Sequence, residues 1–137
     1  MIAPAVTEGA LRIVPLGGLG EIGLNMMALE YGDTIIVVDC GLMFPEDYML
    51  GIDLVIPDIS YLIRNREKVK AFIITHGHED HTGALPFVLR EIDAPIYGTA
   101  LTIGLIKEKL EEHGLTSSTM FETVRPRDVV SIGPFDI

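Results

Sequence analysis

Short apolar runs, broken by glycine, proline and acidic residues, pattern the chain, and their period changes along it. Leu11–Leu16 is apolar enough for a strand. Asn25–Tyr31 and Thr34–Asp39 flank Gly32-Asp33, a tight-turn pair, and predict a hairpin. Gly41–Gly51 reads as a loop. Its Met43, Phe44, Tyr48, Met49 and Leu50 form an interface or lid, or else pack the loop back on a sheet. Asp58 stands as the N-cap of a short helix over Ile59–Asn65. Ala71–Ile74 is an unbroken apolar run, the mark of a buried strand. A helix is expected over Gly83–Glu91, capped by Asp80 or Thr82, with Pro86 tolerated in its first turn. Ala94–Gly98 is the next strand. Thr99 then caps a helix over Ala100–Glu112 that turns Leu101, Leu105, Ile106 and Leu110 inward and ends at Gly114. His113 falls in its last turn, as a surface residue. Arg125–Ile132 reads as a turn and strand, Gly133-Pro134 as another turn, and residues 1–10 as a loose leader. An early hairpin followed by alternating strands and helices predicts an α/β (α+β) fold, the first half of an αβ/βα sandwich.

Size and composition narrow this picture. A chain of 137 residues is one domain or less. With 48% hydrophobic and 22% charged residues it builds a core and is not disordered. No apolar run reaches the ~20 residues of a membrane-spanning helix. No basic cluster precedes an early apolar core, so no signal peptide is read. The one cysteine, Cys40, rules out an internal disulfide and fits a reducing, cytoplasmic setting; at a strand end it reads as a small buried residue. A net charge of -10 argues against a polyanionic partner. Bound divalent ions would offset part of that charge. Arg64, Arg66, Lys68 and Lys70 form the only dense basic stretch, either a solvated helix end or a phosphate contact.

Gly18-x-Gly20-x-x-Gly23, with Asp39 about 20 residues on, spells a dinucleotide-binding fingerprint. That reading needs a helix over Leu24–Tyr31, and Leu24, Met27, Ala28 and Tyr31 do fall at helical spacing. It competes with the hairpin and leaves the chain's strongest chemical signal unused.

That signal is Thr75-His76-Gly77-His78-Glu79-Asp80-His81, directly after the buried strand, where open α/β folds place their chemistry. Imidazole and carboxylate are natural ligands of zinc and similar ions. On an extended segment His76 and His78 share a side, so they can share one metal. Asp80 keeps that parity, whereas His81 opens the helix and points elsewhere. Two adjacent ion sites result, one held by His76 and His78, the other by Asp80 and His81. Ions ~3.5–4 Å apart can activate a bridging hydroxide and stabilise a leaving oxygen. Asp80 and His81 are then the candidate catalytic residues. Asp39, at the end of a neighbouring strand, is placed either to fix a ligand histidine or merely to turn the chain.

His-x-His-x-Asp-His after a strand resembles the signature of the metallo-β-lactamase superfamily. Gly17-Gly18-Leu19-Gly20-Glu21-Ile22-Gly23-Leu24-Asn25, Asp39-Cys40-Gly41-Leu42-Met43-Phe44-Pro45-Glu46 and Ile52-Asp53-Leu54-Val55-Ile56-Pro57-Asp58 resemble the amino-terminal part of the ribonuclease J family, nucleases of the β-CASP group. Leu24 departs from it, since many relatives carry a lysine there. The resemblance runs from about Ile13 onward and implies a partial metallo-β-lactamase domain over residues 11–137. It further implies two zinc ions (or manganese or magnesium), RNA as substrate, cleavage from the 5′ end or internally, and a homo-oligomer. Glu21 and Asn25 would line the substrate cleft. The remaining ligands of that family, two histidines and a bridging aspartate, have no counterpart before Ile137, and neither has the β-CASP insertion. The expectation is an amino-terminal piece that binds metal weakly, lacks turnover and bares an apolar sheet face. A thioesterase-like hydrolase, a dinucleotide-binding module and a silent scaffold are the rival readings.

Overall fold

The computed structural model describes residues 8–137; of the expected leader, residues 1–7 lie outside the described residues. A six-stranded mixed sheet organises the chain. Its strands are β1 (Arg12–Gly17), β2 (Met26–Tyr31), β3 (Thr34–Val38), β4 (Val69–Ile73), β5 (Ile96–Gly98) and β6 (Phe121–Thr123), in that spatial order. The first three pair antiparallel and the rest parallel. A small hairpin, β7 (Ser131–Ile132) and β8 (Phe135–Asp136), stands apart from the sheet's pairing.

The glycine stretch leads into a strand, not into the helix a dinucleotide site requires. Burial in β2 alternates, with Met26, Ala28 and Glu30 inside, so the period is 2. Gly32, at φ 58°, supplies the left-handed residue of the hairpin turn. The predicted hairpin therefore forms, and the Rossmann alternative does not.

Four helices cover one face of the sheet: α1 (Ser60–Arg64), α2 (Glu79–Thr82), α3 (Leu85–Val88) and α4 (Ala100–Glu112). Leu62, Leu85, Val88, Ile103, Ile106 and Leu110 pack there on Ala28, Ile35, Val37, Phe72, Ile74 and Ile96. The opposite face pairs Ile13 with Leu29, Leu29 with Ile36, and Ile36 with Ala71 across the strands. Ile132, Val130 and Phe135 from the β7–β8 region cover part of it, but Leu11 and Ile13 stay 52% and 57% exposed. An α/β sheet clad in helices on one face and partly bare on the other is the observed architecture.

Three expectations are corrected. The helix expected over Gly83–Glu91 shrinks to α3, Leu85–Val88, and a separate turn of helix, α2, precedes it within the histidine stretch at Glu79–Thr82, so Asp80 and His81 are helical residues and Asp80 is no cap. On α4 the buried stripe is Thr102, Ile103, Ile106 and Leu110, whereas Leu101 is 76% and Leu105 45% exposed. The spacing 103-106-110 is the continuous inward stripe, and Leu101 and Leu105 lie beside it. Strand β6 has only three residues and gave no periodic signal. Asp58 does serve α1, its carboxylate accepting the Ser60 N–H at 2.9 Å.

Candidate metal centre

Strands β3 and β4 run parallel and deliver Asp39 and Thr75 side by side at their carboxyl ends. Asp39 has φ 61°, a left-handed conformation that aspartate tolerates better than most residues. The bend lets its N–H donate to the Ile73 carbonyl (2.9 Å). Its carboxylate, only 6% exposed, faces the histidine turn.

That carboxylate organises the turn. It accepts the Thr75 N–H at 2.8 Å and the Thr75 hydroxyl at 2.9 Å. It also accepts His81 Nδ1–H at 2.7 Å. An ionised carboxylate only accepts, so Nδ1 of His81 carries the proton and Nε2 presents its lone pair. Thr75 gives its one hydroxyl proton to Asp39 and accepts His76 Nδ1–H at 2.9 Å. One buried carboxylate thus orients two imidazoles, His81 directly and His76 through Thr75.

The three rings gather. His76 lies 4.7 Å from His78 and 4.0 Å from His81, centroid to centroid. This corrects the parity argument that sent His81 elsewhere: parity holds only for extended chain, and α2 begins at Glu79 and swings His81 back under His76. Nε2 of His81 sits 3.5 Å from Asp80 Oδ2. Asn25 donates its amide to the Asp80 carbonyl at 3.0 Å and reaches Asp80 Oδ2 and His81 Nε2 at 3.4 Å each. Glu21 is exposed in the glycine loop, its carboxylate accepting the Gly18 N–H at 3.3 Å.

The backbone of the turn is pinned from three directions. The Glu79, Asp80 and His81 carbonyls accept the N–H groups of Leu42, Asn25 and Cys40 at 3.2, 3.2 and 2.8 Å. Contact is so close that a Cβ on Gly41 would lie 1.7 Å from the Asp80 oxygen. Cys40 is fully buried beneath, where burial first and the Asp39 charge second push its thiol far up. Beside Asp80 opens a hollow of about 400 Å³ lined by Ile22, Gly23, Leu42, Met43, Phe44 and Glu46. The basic stretch is not here: Arg64, Arg66 and Lys68 precede β4 and Lys70 begins it, at the opposite end of the strand.

Sequence reasoning passed over Thr75, whose position between a buried strand and a histidine was the available signal. It placed Asn25 in a substrate cleft; the structure sets the Asn25 amide against Asp80, which borders the hollow. His113 stacks edge-on against Phe87, far along the chain from the turn.

Among the described residues no group of three or more His, Cys, Asp or Glu side chains is arranged to hold a metal ion. The donor chemistry fits a divalent ion in halves. Two imidazoles have Nδ1 engaged behind them, and Nε2 of His81 faces the Asn25 amide at 3.4 Å and the Asp80 carboxylate at 3.5 Å. Each half falls short of the three protein donors usual in a catalytic zinc site.

Residues 19–133 match the metallo-β-lactamase superfamily, and the chain belongs to it. Within it, the chain is 50% identical over 125 residues to Ribonuclease J of Synechocystis sp., covering 90% of this chain and 20% of that protein. It is 53% identical over 114 residues to Ribonuclease J 2 of Staphylococcus aureus, covering 83% and 20%. The chain therefore spans about a fifth of the length of the curated relatives it matches. In fold it is similar to the metallo-β-lactamase fold protein YhfI from Bacillus subtilis, with TM-score 0.59, 24% identity, and 93% of this chain covering 51% of that one. No helix among the described residues is long and apolar enough to cross a membrane.

Proposed function

We propose that this chain supplies one half of the dinuclear metal centre of a ribonuclease that hydrolyses RNA phosphodiesters in the cytoplasm. The observation that carries the reading is the Asp39–Thr75–His76–His81 array, because it turns two imidazoles so that their metal-binding nitrogens face outward from a buried carboxylate. His76 and His78 would hold one zinc ion, and Asp80 and His81 the second. When bound, zinc supplies a Lewis acid and a water acidic enough to attack at neutral pH. Asp39 would hold the Nδ1 proton of His81 in place and so keep its Nε2 lone pair turned toward the ion. Asp80, partly exposed beside the hollow, orients the attacking water and takes up its proton. Ile22 and Phe44 line one side of that hollow.

Charge favours the same division of labour. With ten more acidic than basic residues and its basic stretch at the far end of β4, this chain does not grip a phosphate backbone by itself. The cations, the further ligands and the oligomer contacts belong to the rest of a longer protein in this reading. The similarity to proteins named Ribonuclease J supports RNA over a small-molecule ester as substrate.

The test is made in the full-length protein. His78→Ala and Asp80→Ala each reduce RNA cleavage by two or more orders of magnitude, as loss of a ligand or of an oriented nucleophile does. Cleavage that survives both substitutions would mark the turn as a silent scaffold. Thioester hydrolysis without RNA cleavage would move the assignment to a small-molecule hydrolase.

A further inference from the structure

We propose that Asn25 is a positioning residue for the Asp80–His81 pair, acting as an amide placeholder in the notch where a divalent ion binds; the metal part of this inference rests on the function proposed above. Asn25 directly precedes β2, whose first residues lie beside the carboxyl end of β3, at the same end of the sheet as the turn. Its backbone alone secures it there: Asn25 N–H donates to the Asp80 carbonyl at 3.2 Å, and its own carbonyl accepts Gly41 N–H at 2.9 Å. The side-chain amide is therefore not needed to hold the fold together.

What the amide does is local. One of its two N–H bonds goes to the Asp80 carbonyl (3.0 Å). The other faces the gap between Asp80 Oδ2 and His81 Nε2, at 3.4 Å from each. Those two atoms stand 3.5 Å apart. Because Asp39 takes the His81 Nδ1–H, Nε2 is an acceptor, and the Asn25 hydrogen is the group that keeps the two lone pairs turned toward one point. Without it nothing among the described contacts restrains the Asp80 carboxylate from swinging toward the open hollow beside it. The first N–H stays on the carbonyl when an ion arrives. The second gives way, at the cost of two long hydrogen bonds, far less than the gain from metal–ligand bonds.

The experiment uses the 137-residue chain. With metal removed by chelation, the imidazole ¹⁵N resonances of His81 are compared in the wild type, Asn25→Ala and Asn25→Asp, with Thr75→Val as a control that perturbs His76 instead. Cobalt(II) titration follows on the same proteins, alongside a thermal melt. In Asn25→Ala, the His81 Nε2 resonance moves toward that of an unbonded acceptor while the melt stays near the wild type. Cobalt affinity falls about tenfold or more, the range for losing a group that orients a ligand. Asn25→Asp, which replaces the donor with an acceptor facing Asp80, shifts the same resonance and lowers metal-free stability. A His81 spectrum unchanged in Asn25→Ala overturns the proposal whether or not cobalt binds. A spectrum that moves while neither protein takes up cobalt supports the placement of Asn25 and counts against the metal reading instead.

Discussion

Asp39 concentrates three tasks in one side chain: it ends β3, ties β4 through Thr75, and sets the tautomer of His81. These tasks separate by substitution. Asp39→Ala removes the shared acceptor of the Thr75 N–H, the Thr75 hydroxyl and His81 Nδ1–H; because Thr75 is exposed, the cost is about 0.5–1.5 kcal/mol of stability, read from the urea midpoint. Asp39→Asn keeps a residue suited to the left-handed backbone but can present its NH₂ to His81 Nδ1. His81 must then give up its Nδ1–H, and its Nε2 becomes protonated. The expected result is a modest loss of stability with a ~10–100-fold loss of metal affinity in the full-length protein; equal losses in both variants would show that the carboxylate acts on folding alone. The histidines and Asp80 were legible because their chemistry is written in their identities and spacing. The roles of Thr75 and Asn25 were not, because their partners lie 36 and 55 residues away in sequence, and only the closing of the sheet brings them together.

At the scale of elements, the long-period signals read true and the short ones did not. Strand β2 and the hairpin follow from alternation, and α4 has the bounds its caps predict. Its inward face was misread because Leu101 and Leu105 are apolar without being buried. Leu105 instead lies against Gly77, whose Cβ, if present, would meet its methyl at 2.6 Å, so α4 backs the histidine turn. Lys109 of α4 adds an ion pair to Glu79 of α2. On the same face, at the end of β2 away from the turn, α1 is fixed to β2 by Tyr61, whose hydroxyl donates to Glu30 at 2.7 Å while accepting from Arg12 at 3.3 Å. Glu30 is 4% exposed, so Tyr61→Phe removes a donor from a buried carboxylate and costs about 1–3 kcal/mol near neutral pH. Burial first, and the Glu30 bond second, raise the Tyr61 hydroxyl above its ordinary 10.0. A raised acid binds its proton more tightly when folded, so the stabilisation is complete below the unfolded value and is lost as pH rises through the folded one. The gap in urea midpoint between wild type and Tyr61→Phe therefore narrows above pH ~10; a gap constant with pH would mean that Tyr61 contributes packing only.

The whole molecule is one-sided, and that asymmetry has a physical outcome. Helices seal one face of the sheet, but on the other, among the described residues, Ile132 and its neighbours cover β3 and β4, and Leu11 and Ile13 stay largely exposed. The order of an early hairpin followed by alternating strands and helices foretold a half sandwich; it did not show how far the β7–β8 hairpin would go in covering the second face. Association through the sheet's edges is blunted, because Pro15 interrupts the row of donors of β1 beside an irregularity at Pro15–Gly17, and β6, the other outer strand, is only three residues long. Face-to-face packing of two copies remains open. The 137-residue chain should accordingly self-associate reversibly, with a weight-average sedimentation coefficient that rises with concentration. Burying an isoleucine is worth ~1.5–3 kcal/mol, so Ile13→Lys weakens the association by about tenfold or more. The variant leaves the helix-covered core untouched and should melt close to the wild type. A wild-type chain that sediments as a monomer at every concentration would mean that the exposed strip is too narrow to drive pairing.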